Sequence, residues 1–562
     1  MHDLLIRNGT LIDGSGRPGF RGDLAVDGDR ITAVGEVDAS AHRILDAEGR
    51  LVTPGFIDPH THLDAQLLWD PLGTPTCWHG TTSVVVGNCG VGFAPLDARH
   101  RELLAETLES VEQVPRASIM AGIDWTWRDF GGYLDALASK KLGVNVGGLV
   151  GHVALRVNAM GEGCADPERT PTAEELEAMS GMVGEAMDSG ALGFSTSRTR
   201  SHCMPDGTPI PGTFAGDDEL FALASVLGDR RRGVVQWVAG FGELDTTSEF
   251  PEAQREVGRM GEISRRSGRP VIFSMFTHEL VPDLHGKVLG AADAERAAGA
   301  DLRPMFNARP VLSFAGLLNE SPVRASAWKR FYERPPAERL VALADPGVRA
   351  ELIDVREEVD AWIGSEYTLF GPEKCAYEIG DSPKLAQVAT DRGQRPIETL
   401  VDLFLETGGR QIFASAGSNQ VASHIEAVFS HPGTLYGLGD AGAHVTGICD
   451  SSLTTYLLTY WCRERGALSV EEAIRRLTAE PADALGIRER GRLAPGQHAD
   501  INVIDFDALE IEVPEFVFDF PAGAGRWTQK SIGYDYTLVN GQVAVEKGRH
   551  RGRLAGQVIR AE

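Results

Sequence analysis

The sequence predicts an α/β protein: a (β/α)8 barrel of the TIM type, flanked by a small β-rich domain drawn from both chain ends. Three observations carry this. Both ends read as short strands with Gly/Asp turns. Between them, eight apolar runs alternate with helical patterns. The chain has 562 residues, 42% of them hydrophobic, enough to bury one large core.

Residues 1–53 hold "LLIRNGTLIDG", "GDLAVDGDRITAVG" and "HRILDAEGRLVTPG", whose alternation and DG turns predict a small β unit. The first barrel strand is expected in "TPGFIDPHTH". The next seven follow in "TTSVVVGNCG", "VNVGGLVGH", "GALGFSTS", "GVVQWVAG", "RPVIFSMF", "DLRPMF" and "LYGLGDAG". Helical stretches such as "TAEELEAMSGMVGEAMDSG" and "EAQREVGRMGEISRRSG" separate several of them. That is the order of βα units around a parallel sheet, and places the barrel over 54–480. Residues 313–400 exceed a normal loop and predict a mostly helical insertion, a candidate lid. Residues 481–562 return to strand-like material, "ADINVIDFDALEIE" and "YDYTLVNGQVAVEKG", expected to pair with 1–53.

The formal net charge is −26. Such a surface repels nucleic acid and anionic membranes, so neither is an expected partner. No apolar run reaches the roughly 18 residues of a membrane span. The opening "MHDLLIRNGTLIDGSG" reads as a strand and a turn rather than a signal peptide. The seven cysteines are odd in number, widely spaced and without a CxxC pair. Reduced thiols in a cytoplasm are expected. The partner expected is a small-molecule substrate; a homo-oligomer is left open.

In a barrel of this kind, residues at strand C-termini are the catalytic candidates. His60 and His62 straddle Thr61 at the end of the first strand, where alternate residues share a face. Two imidazoles converging at a barrel mouth suit a divalent metal such as zinc; two ordinary core histidines are the plainer alternative. Asp440, crowded by glycines in "YGLGDAGAH", ends the eighth strand next to the first. A carboxylate there can ligate a metal and shuttle a proton, though turn aspartates are common in glycine-rich stretches. Cys89 ends the second strand, as a thiolate ligand or a small buried thiol. His152 follows the third strand, His202 the fourth and His278 the sixth; a lone histidine is more often structural. Arg156, Arg198 and Arg200 are candidates for a substrate carboxylate, which a guanidinium binds bidentately, against the alternative of ordinary ion pairs.

Taken together, "LLIRNGTLIDGSG", "VTPGFIDPHTHLD", "GTTSVVVGNCGVGFAP", "GHVALR", "GALGFSTS", "GDAGAH" and "GRLAPGQHADINVID" resemble the amidohydrolase superfamily, and within it the N-acyl-D-amino-acid deacylases (D-aminoacylases). The resemblance covers nearly the whole chain. It implies a metal-bearing barrel beside a small β-sandwich built from both chain ends. It implies metal ligands at His60, His62, Cys89 and Asp440, with Cys89 standing where many relatives use a carboxylated lysine from strand four. It also implies two further ligand histidines, at the ends of strands five and six, and a lysine after strand six. Here Gln236 or Trp237 and Met275 stand near the histidine positions, and that lysine is missing.

The function expected is metal-dependent hydrolysis of the amide of N-acyl-D-amino acids or related small N-acyl amides. The cofactor expected is one divalent metal per chain, zinc first. Asp440 would take the proton of the attacking water and return it to the leaving nitrogen, and His152 would stand near the oxyanion. Two rivals are kept. One is a cyclic-amide hydrolase or deaminase of the same superfamily. The other is a non-catalytic metabolite-binding protein, which the missing histidines favour and the retained HTH and GDAG motifs oppose.

Overall fold

The computed structural model describes residues 1–372 and 375–561. Residues 373 and 374, inside the stretch read as an insertion, and residue 562 lie outside the described residues. All eight apolar runs become barrel strands: Phe56–Asp58, Thr81–Val86, Asn145–Gly151, Gly193–Ser197, Val234–Val238, Val271–Met275, Leu302–Phe306 and Leu435–Tyr436. Each pairs in parallel with the next. Their near-continuous apolar character fits a sheet covered on both faces: every residue of Thr81–Val86 and Asn145–Gly151 is buried. The cylinder is closed just past the ends of the eighth and first strands. His62 N–H donates to Ala441 O (2.8 Å) and Asp440 N–H to His60 O (3.0 Å). The closure therefore sets the two histidines beside the aspartate.

Helices Ala173–Asp188, Asp217–Arg230, Pro251–Ser267 and Leu284–Ala297 cover the outside of the sheet between strands. The first starts at a capping box in which Thr172 and Glu175 satisfy each other's backbone N–H groups.

The two chain ends build one nine-stranded sheet. Its seam is the antiparallel pairing of Leu51–Pro54 with Ile501–Ile504. A shared apolar core holds the two halves together, with Leu4, Ile6, Leu24 and Val52 meeting Ile501, Val503 and Leu538. Because Pro54 runs through Gly55 directly into Phe56, the register of that seam also sets the first barrel strand.

The stretch read as a mostly helical insertion does carry helices, from Ser326–Tyr332 to Pro396–Glu406, around Trp328, Leu343, Ile363, Leu400 and Phe413. It also contributes to a three-stranded antiparallel sheet of Leu312–Gly316, Ile412–Ala416 and Thr368–Phe370 that the sequence reading did not foresee. Two of these strands lie at or beyond the edges of the stretch, and the third has three residues, too short for alternation to register.

The last residues run back under the barrel. Gly556 bridges Leu142, Val558 bridges Val146, and Ala561 N–H donates to Gly190 O (3.0 Å). The seven cysteines are all free, and among the described residues no helix is long and apolar enough to cross a membrane.

Candidate metal centre

Thr61 anchors the segment after the first strand. Its N–H and its hydroxyl both donate to Val85 O (3.0 and 2.8 Å). With Thr61 turned to the second strand, His60 and His62 turn the other way, their rings 5.3 Å apart. The regular strand stops at Asp58, so the histidines sit on an extended continuation of it rather than inside it. Asp58 buttresses the corner. Its Oδ1 accepts His60 N–H (3.1 Å) and Gly439 N–H (3.3 Å), tying strand one to strand eight. A Cβ at residue 439 would collide with the Asp58 carboxylate, so only glycine allows this approach.

Cys89 and Asp440 both adopt left-handed backbone, φ 55° and 50°, an uncommon conformation that marks imposed local geometry. Cys89 is held there by Gln236, whose Oε1 accepts its N–H (2.9 Å).

Three donors converge, with a carboxylate beside two of them. Cys89 Sγ lies 3.3 Å from His60 Nε2 and 3.4 Å from His62 Nε2. Asp440 Oδ1 lies 3.4 Å from each of the same nitrogens. Tetrahedral zinc with ligand bonds of about 2.0–2.3 Å separates its donors by about 3.3–3.8 Å; His60, His62 and Cys89, whose ligand atoms all lie within 4.8 Å of one another, make the cluster that suits one cation, and Asp440 joins it from the side of the two imidazoles. Asp440 Oδ1 also has no hydrogen-bond partner among the described residues. A buried polar atom left that way calls for an ion or a water. The donor set, two imidazoles, a thiol and a carboxylate, is chemically that of a zinc-type site.

The electrostatics of the protein groups agree. Burial, with His202 adding to it, pushes His60 down to about 3, and burial with His60, His444 and His202 holds His62 well below the usual imidazole range. Both rings are thus neutral and present lone pairs. Burial, then the neighbouring Asp58, pushes Asp440 up to about 7, and burial holds the Cys89 thiol high. A divalent cation reverses the sign for the last two, because it favours the thiolate and the carboxylate.

The other predicted residues are placed differently. Along the fourth strand, Ser197 faces the barrel interior and meets His202 Nδ1 (2.9 Å). Thr196 and Arg198, one residue to either side, face the helix layer. Arg198 donates to Glu256 Oε1 (2.8 Å) and Ala215 O (2.7 Å). Arg156 is committed to Glu219, with Nη1 2.9 and 2.8 Å from its two oxygens. His152 spends one nitrogen on Thr196 Oγ1 and the other on Glu219 Oε1, both at 2.9 Å. The structure gathers none of these three with the donor cluster. Arg200 is exposed, its guanidinium over the Phe214 ring (5.5 Å), lining a cavity of about 240 Å³ with Arg198 and Glu243. His278 is exposed near Ser418. Met275 is packed in the core, and Trp237 donates outward to Glu256 (3.0 Å).

Glu219 therefore has a structural test. It is buried with Arg156 and His152. Glu219→Ala leaves a buried guanidinium without its partner, which is expected to cost about 3–5 kcal/mol. Denaturant unfolding checks this, with metal content expected to be unchanged.

Two residues near the donors were missed. Glu112 Oε1 lies 3.4 Å from His62 Nε2, and Glu112 Oε2 lies 3.8 Å from His444 Nε2. His444 was within view in "GDAGAH"; Glu112 sits at the end of an ordinary amphipathic helix and carries no motif.

An eight-stranded parallel barrel with such a donor cluster at the C-terminal mouth defines a class of metal-dependent hydrolases. The amidohydrolase family model matches residues 43–362 and 378–545, and the chain belongs to that family. It is a hydrolase of carbon–nitrogen bonds other than peptide bonds. It is 31% identical to N-acyl-D-glutamate deacylase of Alcaligenes xylosoxydans xylosoxydans, over 96% of this chain and 93% of that one. It is 28% identical to the D-aminoacylase of the same organism, over 99% and 97%. Among solved structures, N-acyl-D-glutamate deacylase from Bordetella bronchiseptica, complexed with zinc and a phosphonate inhibitor, matches with TM-score 0.64 and 27% identity over 100% of both chains. D-aminoacylase, with a binuclear metal centre, matches in fold with TM-score 0.67 at 24% identity, also over 100% of both chains.

Proposed function

We propose that this chain hydrolyses the amide of N-acyl-D-amino acids, or of closely related small N-acyl amides, at one divalent metal held by His60, His62, Cys89 and Asp440, with zinc the preferred ion. The observation that carries this is the cluster of two neutral imidazoles and a thiol, with the unpartnered Asp440 Oδ1 3.4 Å from both imidazoles. The deacylases among its relatives support the substrate class. When bound, the metal polarises the amide carbonyl and makes water acidic near neutral pH.

The protein's own groups do the rest. Asp440 accepts the proton of the attacking water and hands it to the leaving nitrogen, which cannot depart as an anion. Gln236, through the Cys89 N–H, keeps the thiol aimed at the imidazoles. Arg200 has no ion-pair partner among the described residues and is the predicted arginine left to meet a substrate carboxylate.

The test is a panel of N-acetyl-D- and N-acetyl-L-amino acids, with metal analysis of protein purified without chelator. About one metal per chain is expected, with turnover of D-substrates lost in chelator and restored by zinc. Zinc-loaded protein inert across the D-panel would overturn the substrate assignment; two fully occupied metals would overturn the count.

A further inference from the structure

Gln236 lies in the fifth strand and is 2% exposed. Alternation puts it inside the barrel. Val234 packs in the inner cluster with Leu149, Ile272 and Met305 from other strands, and alternate residues share a face. Chemistry orients its amide. The Cys89 N–H can only donate, so the amide oxygen must face it, at 2.9 Å. That fixes the other end as well. Nε2, with its two N–H donors, is turned away from that backbone and has no hydrogen-bond partner among the described residues. A buried donor left unpaired is costly, and native folds keep few of them.

Gln236 is not alone. The same face carries Ser274 in the sixth strand, in line with Ile272, and Asn307 just past the seventh, in line with Met305. These residues are 5% and 1% exposed, and Ser274 Oγ and Asn307 Oδ1 also lack partners among the described residues. Asn419 clamps the two strand ends: its Oδ1 accepts Thr277 N–H (2.8 Å), and its Nδ2 donates to Asn307 O (2.8 Å). Three neighbouring strands thus hold unpaired neutral polar atoms against the barrel interior. Gln236 sets that wall directly beside Cys89, whose Sγ is 3.3–3.4 Å from both imidazoles. Such a wall suits an uncharged polar group of a ligand.

A scissile amide is such a group. Its carbonyl oxygen is an acceptor, and it gains negative charge as the carbon becomes tetrahedral. A donor already fixed in place and out of water stabilises that charge without reorganising. His152, expected near this oxygen, is spent on Thr196 and Glu219 instead.

We propose that Gln236 is a catalytic residue whose Nε2–H donates to the carbonyl oxygen of the scissile amide and holds the oxyanion of the transition state. This rests on reading the protein as an amide hydrolase. Ser274 and Asn307 continue the wall that the substrate meets.

Gln236→Glu keeps the oxygen that holds Cys89 and exchanges the donor for a second oxygen. On zinc-loaded protein with the best N-acetyl-D-amino acid, kcat should fall by about 100- to 1000-fold, the scale of one lost oxyanion donor. KM should change little. Affinity for the phosphonate analogue of that substrate, which mimics the tetrahedral intermediate, should fall in step when read by calorimetry. Zinc content should stay at the wild-type level. A protonated carboxyl can donate again, so the variant should regain rate relative to wild type as pH falls.

If Gln236→Glu does not fold or changes the bound metal, Gln236→Met decides. Weaker phosphonate binding with unchanged visible bands in the cobalt-substituted protein supports the role. Unchanged phosphonate affinity overturns it, and so do shifted bands with zinc loss that account for all the lost activity, since Gln236 would then only position Cys89. Zinc-loaded wild type that is inert across the amide panel removes the hydrolase reading and this role with it. An active wild type whose Gln236→Glu variant matches it in rate and phosphonate affinity throughout the pH series removes the Gln236 role alone.

Discussion

Replacing His60 and His62 together by alanine should empty the metal centre and remove amide hydrolysis. Four-coordinate zinc needs three or four protein ligands, and the change deletes two nitrogens that stand 3.3–3.4 Å from both Cys89 Sγ and Asp440 Oδ1. A metal's Lewis-acid contribution is several kcal/mol, so the rate should fall by about three to five decades. The backbone should survive, because Thr61 still anchors the segment to Val85. Metal analysis and the amide assay on the same preparation read the result. Full metal occupancy in the double variant would remove these histidines from the site.

Asp440→Asn should be nearly as damaging to turnover and far gentler to the fold. Asparagine tolerates left-handed backbone, so φ 50° is no obstacle, whereas alanine there would be strained. The amide can still offer an oxygen but cannot take a proton at working pH. With saturating zinc, kcat should drop by about two to four decades while KM changes little. Turnover close to wild type would assign the proton transfer to another group.

How far the sequence could be read depended on how local each feature was. The barrel strands were legible because most are short apolar runs set between helical patterns, and the site residues lie in the same runs. His60, His62, Cys89 and Asp440 each follow a strand directly, so finding the strand found the residue. Arg156 and Arg198 also sit beside strands. Their fate depended on which face they took and on Glu219 and Glu256, far along the chain. Arginine spacing carries no record of such partners. Glu112 was illegible for the opposite reason: it lies twenty-three residues past Cys89, at the end of a helix whose pattern is that of any surface helix. Gln236 was seen only as a missing histidine, and its hydrogen bond to the Cys89 backbone came from the fold alone.

The seam between Leu51–Pro54 and Ile501–Ile504 has a bearing on how the enzyme comes into being. A chain made from its N-terminus exposes Leu51–Pro54 long before its partner strand exists. Joining the two is thermodynamically inexpensive, since closure entropy grows only with the logarithm of the intervening length. It is nevertheless late, because so distant a contact must wait for everything between. The strand that waits runs straight into the one that presents His60 and His62. The nascent protein should therefore hold a largely folded helical layer well before it can grip a cation tightly, and metal capture should mark the last stage of maturation. Pulse-labelled refolding should show zinc protection arriving after most helical amides are already closed to exchange.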